Sequence, residues 1–262
     1  MNTRGVTAAT DWPEPVEIVN QDGVSHFVLT CEHAARHMPR QYDGLGLSEP
    51  DLRRHIAWDI GVAGITRILA ERLDAPAFLG TYSRLLIDLN RPLTADSLMP
   101  VLSESTQIPG NIDLSETERR HRLKEIFLPY HKAVARHLEK REKAARQTLI
   151  AAIHSFTPVF FGKARPWHAG ILFARSSLFA HAVIAELARD RSMNIAPNEP
   201  YVIDRAGDYT VPIHGEDRGH PAILIEVRQD LISDEAGVIE WSDRLFQALA
   251  AVDPALASRF QD

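Results

Sequence analysis

The sequence predicts an α/β fold: one domain built on a mixed, mostly parallel twisted sheet with helices on both faces. Three observations carry this. Short apolar runs alternate with amphipathic stretches along most of the chain, the pattern of strands joined by crossover helices. The runs at 148–153 (TLIAAI) and 222–227 (AILIEV) are apolar almost throughout, which suits strands buried on both faces at the centre of a parallel sheet. The 262 residues, 45% hydrophobic and 24% charged, have ordinary globular composition. A chain of this length buries roughly 70–75% of its unfolded surface, so its core needs no disulfide or metal staple.

The elements follow in order. Residues 1–24 are polar, contain Pro13 and Pro15, and read as a loosely held N-terminal arm; 25–262 form the single domain. The run 26–31 (HFVLTC) is a strand. Ser48 with Asp51 three residues on resembles a capping box. The spacing of Ile56, Ile60, Ile65, Ile68 and Leu69 continues it as a helix, broken near 59–61. Residues 77–80 and 85–89 read as short strands, and the Pro-, Ser- and Thr-rich stretch 92–114 as a long loop. Ser115 and Glu118 form a second capping box, opening a helix to about residue 147. Pro129 kinks or restarts that helix, because proline lacks an N–H and clashes with the preceding turn. Residues 148–153, 170–174 and 222–227 are strands. Ser176 or Ser177 caps a helix through 191, and 237–250 is the last helix.

Charge and cysteine content exclude some classes of function. The net charge of −6, from 29 Lys+Arg against 35 Asp+Glu, argues against a nucleic-acid partner, which requires a basic surface. Cys31 is the single cysteine, so no intramolecular disulfide forms and a reducing compartment fits. Residues 1–11 lack the apolar core of a signal peptide, and the apolar runs are too short to cross a bilayer. The expectation is a cytoplasmic protein with a small-molecule partner and no membrane partner.

Ligands of open α/β sheets bind outside the carboxyl ends of the strands. Several chemistry-bearing residues fall there. Glu32 and His33 follow the first strand, Asp88, Asn90 and Arg91 the 85–89 run, and His154 the TLIAAI strand; Glu226 ends AILIE. His33 and His154 are the natural metal-ligand pair, since neutral imidazole is a standard zinc ligand. Either histidine alone reads more readily as a strand-end residue satisfied by backbone; together, beside a carboxylate, they favour a site. Asn90, Arg91 and Arg84 offer anion recognition, because the planar guanidinium matches a carboxylate with two parallel hydrogen bonds. The bland alternative for Arg84 is a surface ion pair, and Asp88 is placed to hold Arg84 or Arg91. Glu226 sits in an apolar strand, where a carboxylate is costly unless paired or protonated. That suits a general base, the rival being an ion pair with Arg228 on the same strand face.

Cys31 beside His33 is a candidate nucleophile, though a buried structural thiol explains a cysteine ending an apolar strand better. His121, His131 and His137 lie on a mostly solvated helix. His131, just after Pro129, is the one placed to turn inward. His214 and His220 flank a Gly-containing loop before the Glu226 strand and are weak pocket candidates.

An ordered set of segments resembles the N-formylglutamate amidohydrolase (N-formylglutamate deformylase) family from about 27 to 249. They are Cys31-Glu32-His33-Ala34, Trp58-Asp59-Ile60, the run from Tyr82 to Arg91 (YSRLLIDLNR), Pro129-Tyr130-His131, His154-Ser155-Phe156, and the run from Glu226 to Asp230 (EVRQD). That family is similar in fold to zinc carboxypeptidases and aspartoacylase. The resemblance implies one zinc ion on His33 and His154, a carboxylate clamp at Asn90–Arg91 helped by Arg84, and Glu226 as base. It implies hydrolysis of an N-acyl amino acid, N-formyl-L-glutamate first, to formate and the free amino acid. The rivals are a metal-free hydrolase using Cys31 and a non-catalytic carboxylate-binding protein on the same fold. Two departures stand out. Arg36, three residues after His33, replaces the glutamate of the His-x-x-Glu pair, so the third ligand comes from elsewhere. The Cys-Glu-His-Ala segment replaces the Pro-His-Ser-Gly of better-known deformylases, which marks a side branch of the family and leaves the exact substrate open. Those deformylases carry an aspartate where Asp59 stands, so Asp59 is preferred over Glu32 as third ligand; neighbours on an extended chain point to opposite faces, and Glu32 adjoins His33.

Overall fold

The structure, a computed structural model, describes residues 11–258. Its strands and helices follow in chain order. The first part contains β1 (Val16–Val19), β2 (Phe27–Cys31), α1 (Glu49–Leu52), α2 (Val62–Arg72) and β3 (Ala77–Gly80). A small hairpin, β4 (Leu102–Ser103) and β5 (Thr106–Gln107), precedes α3 (Glu116–Arg122) and α4 (Leu128–Lys143). Then come β6 (Leu149–Phe156), a second hairpin of β7 (Val159–Phe160) and β8 (Lys163–Ala164), β9 (Ala169–Leu172) and α5 (Ser177–Leu187). The remainder is β10 (Ile195–Pro197), β11 (Ala222–Arg228) and α6 (Glu235–Ala250).

Seven strands form one sheet in the order β1-β3-β2-β6-β11-β9-β10. β3, β2, β6 and β11 run parallel. β1 and β9 pair antiparallel to their inner neighbours, and β10 runs parallel to β9. β6 and β11 are buried along almost their whole length, as continuously apolar runs require. Two apolar clusters sandwich the sheet. One packs α2, α5 and α6 on one face through residues such as Ile65, Phe179 and Trp241; the other packs α4 on the opposite face through Tyr130, Val134 and Leu138. The expected mixed, mostly parallel sheet with helices on both faces is the observed architecture.

Two of the three expected capping serines behave as the sequence implies: Ser48 accepts from the Asp51 amide and Ser115 from the Glu118 amide, satisfying an otherwise orphaned helix-start donor. The break expected at 59–61 is real. The chain leaves α1 through turns, and α2 starts only after Gly61, whose φ of 83° is left-handed. A Cβ there would meet the Ile232 carbonyl oxygen at 2.2 Å. Pro129 sits at the start of α4, immediately after a π-helical turn at Leu123–Phe127. The chain thus continues through the proline by widening one turn, where the α-helical pattern would have clashed.

Two expectations need correction. Residues 85–89 are not a strand. The segment is buried but irregular: Asn111 Nδ2 donates to the Leu85 carbonyl at 2.8 Å and Arg122 Nη1 to the Leu86 carbonyl at 3.0 Å. Side chains satisfy the backbone here, so an apolar run stays buried without a ladder. The stretch 1–24 is not loose where it is described. Val16–Val19 forms an edge strand on β3, and its alternating pattern was hidden by the neighbouring prolines; residues 1–10 lie outside the described part. β10, three residues long and on the other edge, gave no sequence signal.

The topology positions the site. β3 lies on one side of β2 and β6 on the other, so the strand order reverses between β2 and β6. This is a switch point, where connections leaving in opposite directions open a crevice at the carboxyl ends.

Candidate metal centre and active site

His33 follows β2, His154 lies near the end of β6, and Asp59 sits in the break before α2. Three backbone links hold that break against the sheet. The Asp59 amide donates to the His33 carbonyl at 3.0 Å, Ser155 Oγ to the Ile60 carbonyl at 3.0 Å, and the Arg84 amide to the Ala57 carbonyl at 3.2 Å. A residue 26 positions from His33 and 95 from His154 is thereby brought between them.

The three side chains offer one ligand atom each, all within 4.8 Å of one another and all buried. Asp59 Oδ2 is the meeting point. It lies 2.9 Å from His154 Nδ1, 3.4 Å from His33 Nδ1 and 3.3 Å from the Ser155 amide nitrogen. The opposite ring nitrogens are held by carboxylates: His33 Nε2 by Asp88 Oδ1 at 2.7 Å, and His154 Nε2 by Glu32 Oε2 at 2.8 Å. Imidazoles backed by carboxylates on Nε2, with their Nδ1 atoms converging on a third carboxylate, have the outer shell that metal-binding histidines normally have. The donor set therefore fits a divalent ion, with two imidazole nitrogens and one carboxylate oxygen matching the chemistry of zinc.

Charge is compensated in layers. Burial opposes ionisation of Glu32, but hydrogen bonds from His154 and Thr210 hold its carboxyl down to about 2. Burial likewise works against the Asp59 and Asp88 carboxylates, yet the two histidines for Asp59, and Arg84 with His33 for Asp88, keep both well below the usual range. Burial depresses His154, and its Asp59 and Glu32 partners overcome this and raise it. The cluster is thus anionic on its carboxylates, the state required to hold a cation.

Glu226 stands beside this centre. It is directly opposite His154 in the β11–β6 register and opposite Gly170 on β9. Its Oε2 is buried and has no hydrogen-bond partner. Burial pushes its carboxyl up to about 8, against the attraction of the nearby His154. The expected rival pairing with Arg228 does not occur, because Arg228 forks onto Asp230 at 2.8 and 3.2 Å.

A cavity of about 480 Å³ opens over these groups, lined by His33, Asp59, His154 and Glu226 and also by Asn90 and Arg91. Arg84 also lines it, with Nε and Nη2 on Asp88 Oδ2 at 3.0 and 2.7 Å and Nη1 3.4 Å from Asp59 Oδ1. Asn90 is largely engaged: its Oδ1 accepts from the Tyr209 and Thr210 amides at 3.1 and 3.0 Å, and its Nδ2 donates to Asp208 at 3.2 Å. Arg91 donates to the Gly207 carbonyl and lies 3.5 Å from Asp208 Oδ1. The segment 207–210 is therefore tied to the Asn90–Arg91 wall, and Thr210 Oγ1 ties it onward to Glu32 at 2.6 Å.

Other flagged residues fall away from the cavity. Cys31 is fully buried in the apolar cluster against α2, and burial raises its thiol well above the usual range. His131 does turn inward, its Nδ1 2.9 Å from His214 Nε2. His220 pairs with Glu142. Sequence reasoning missed the roles of Glu32 and Asp88 as histidine partners. Their strand-end positions were visible, but the ring nitrogens they meet were not.

Fold and site together define an α/β protein with a buried two-histidine, one-aspartate centre and an adjacent protonatable carboxylate. The chain matches the model of the N-formylglutamate amidohydrolase family over residues 25–233, and it belongs to that family. Hydrolysis of an amide bond is the activity this membership supports. Among solved structures, the chain is similar to a gene product of Agrobacterium tumefaciens, with 35% identity and a TM-score of 0.88 over 92% of this chain and 96% of that one. It also shares its fold with an N-formylglutamate amidohydrolase from Ralstonia eutropha, at 17% identity and a TM-score of 0.68 over 91% and 97% of the two chains. No curated protein matches it significantly. Among the described residues, no helix is long and apolar enough to cross a membrane.

Proposed function

We propose that the chain is a zinc-dependent amidohydrolase that cleaves the amide of an N-acyl amino acid, with N-formyl-L-glutamate the first substrate to test. The observation that carries this reading is the convergence of His33, Asp59 and His154 within 4.8 Å, next to a buried carboxyl at Glu226 that lacks a partner. When bound, a divalent ion such as zinc polarises a carbonyl and acidifies water to a pKa of about 7.

The chain's own residues do the rest. His33, Asp59 and His154 hold the ion, and Glu32 and Asp88 fix the imidazole tautomers. Glu226 accepts a proton from the attacking water and delivers it to the departing amine nitrogen, so the C–N bond breaks to give the free acid and the free amino group. A carboxyl raised to about 8 by burial is poised for such two-way transfer near neutral pH. Arg91 takes the substrate's α-carboxylate, with the remaining N–H of Asn90 and the charge of Arg84 assisting. The single cysteine supports a reducing, cytoplasmic setting.

The Cys31 alternative lacks support, since that thiol faces the apolar cluster and His33 is engaged by Asp59 and Asp88. The experiment is metal analysis of the purified chain together with a formate-release assay. One zinc per chain, chelator-sensitive turnover and recovery with added zinc are expected. Full turnover of metal-free protein overturns the metal, and stoichiometric metal with no turnover on any N-acyl amino acid overturns the enzyme.

A further inference from the structure

The cavity contains more carboxylates than free cations. Arg84 is forked onto Asp88, and Arg91 is partly neutralised by Asp208. A glutamate derivative brings two carboxylates, and the Asn90–Arg91 wall accounts for one.

Arg165 is placed to take the other. It is half-buried and follows the β7–β8 hairpin. Its guanidinium carbon lies 4.4 Å from the Phe160 ring centre and 4.8 Å from that of Tyr201, and both rings line the cavity. Nη1 donates to the Tyr201 hydroxyl at 2.9 Å. No carboxylate among the described residues forms an ion pair with it, in contrast to Arg84 and Arg91. Its charge reaches far enough to act on Glu226. Aromatic faces hold a guanidinium flat by cation–π attraction and strip water from it, leaving its edge N–H groups to meet an anion. An arginine so positioned, with Nη1 on the Tyr201 hydroxyl and its Nε–Nη2 edge left over, recognises a planar carboxylate by two parallel hydrogen bonds.

Building on the reading of this cavity as an N-acyl amino acid site, we infer that Arg165, held by Phe160 and Tyr201, binds the distal, side-chain carboxylate of the substrate and sets the preference for acidic side chains. It is a binding residue carried by two rings that line the cavity, and it takes the distal carboxylate while Arg91 takes the α-carboxylate and the amide lies over the His33–Asp59–His154 centre.

The test compares N-formyl-L-glutamate with N-formyl-L-glutamine, which differ only in the distal charge. Wild type is expected to prefer the glutamate compound. Arg165→Gln is expected to lower kcat/KM for it by about 10- to 100-fold, mainly through KM, the loss associated with a charge-assisted hydrogen bond. Turnover of the glutamine compound is expected to stay within about twofold, which also shows that the variant is folded. Arg165→Lys is expected to recover part of the glutamate preference, since it restores the charge without the fork. Equal losses on both compounds, or a wild type that treats them alike, overturn the assignment. Failure of wild type on every N-formyl amino acid overturns the functional reading instead, so the two failures are told apart.

Discussion

Glu226 and His154 stand directly opposite each other on adjacent parallel strands, yet they share no hydrogen bond. Both His154 nitrogens are engaged, Nδ1 by Asp59 and Nε2 by Glu32, and Glu226 Oε2 is left buried without a partner. An unpaired buried carboxyl is costly in its charged form. The fold tolerates it at the one place where an uncommitted proton acceptor serves the proposed chemistry.

Glu226→Gln keeps shape and size and removes the acceptor. The rate is expected to fall by roughly 10²–10⁴, the usual range for losing a general base. Zinc content is expected to stay at the wild-type level, because Glu226 is not among the converging donors. Near-normal turnover by metal-loaded Glu226→Gln protein would refute the base assignment.

The same carboxyl makes a prediction about stability. Its pKa is about 8 in the fold against an ordinary 4.5. Between those values the folded protein keeps a proton that the unfolded chain has released, so its contribution is full below pH 4.5 and is lost as pH rises toward 8. Metal-free wild type should therefore lose more thermal stability between pH 5 and 8 than metal-free Glu226→Gln. Melting temperatures of the two proteins across that range measure the difference; parallel curves would show that the carboxyl ionises freely in the fold.

Much of this arrangement was legible in the sequence. Continuous apolar runs identified β6 and β11, and the polar residues just beyond the strands identified the edge where His33, His154 and Glu226 meet. Ser48 and Ser115 were read correctly because N-capping is local chemistry. Ser176, by contrast, makes no side-chain cap to α5: its Oγ accepts instead from the Ala222 amide at 2.9 Å on a distant strand, and that helix ends at Leu187 rather than 191. Residues 85–89 misled because their carbonyls are satisfied by Asn111 and Arg122, residues far along the chain that no local pattern reveals. The position of Asp59 came from family resemblance, since its approach to His33 depends on a backbone link across 26 residues. Arg165 had no signal at all: its meaning comes from two aromatic rings, one of them 36 residues away.

The metal ligands rank themselves. Asp59 Oδ2 faces both Nδ1 atoms, whereas Glu32 holds the far nitrogen of His154. Asp59→Ala and His154→Ala are expected to lose zinc and turnover together, because two remaining protein ligands seldom hold a catalytic zinc. Glu32→Gln is expected to weaken zinc by only about 10- to 100-fold, the usual loss on removing an outer-shell partner. Competition titration against a chelator gives the order; stronger zinc loss from Glu32→Gln than from Asp59→Ala would move the third ligand to Glu32.

Arg91 supplies the last prediction. Its guanidinium lines the cavity and is braced by the Gly207 carbonyl and by Asp208, 3.5 Å away. Burial raises the Asp208 carboxyl above its ordinary value, and its Oδ1 is shared with Asn90 Nδ2 at 3.2 Å. If Arg91 binds the α-carboxylate, Arg91→Ala removes a charge-assisted contact and leaves a partly desolvated anion without its counter-charge. Such losses cost about 1.5–3 kcal/mol or more, roughly 10- to 100-fold in kcat/KM. The loss should be confined to N-formyl amino acids with a free α-carboxylate and largely absent for the corresponding α-amides, which wild type should already process poorly. Steady-state kinetics on each acid–amide pair separate the cases. Equal reduction for acid and amide would mean that Arg91 serves only to tie the 207–210 segment to the cavity wall, and the α-carboxylate would then need another partner.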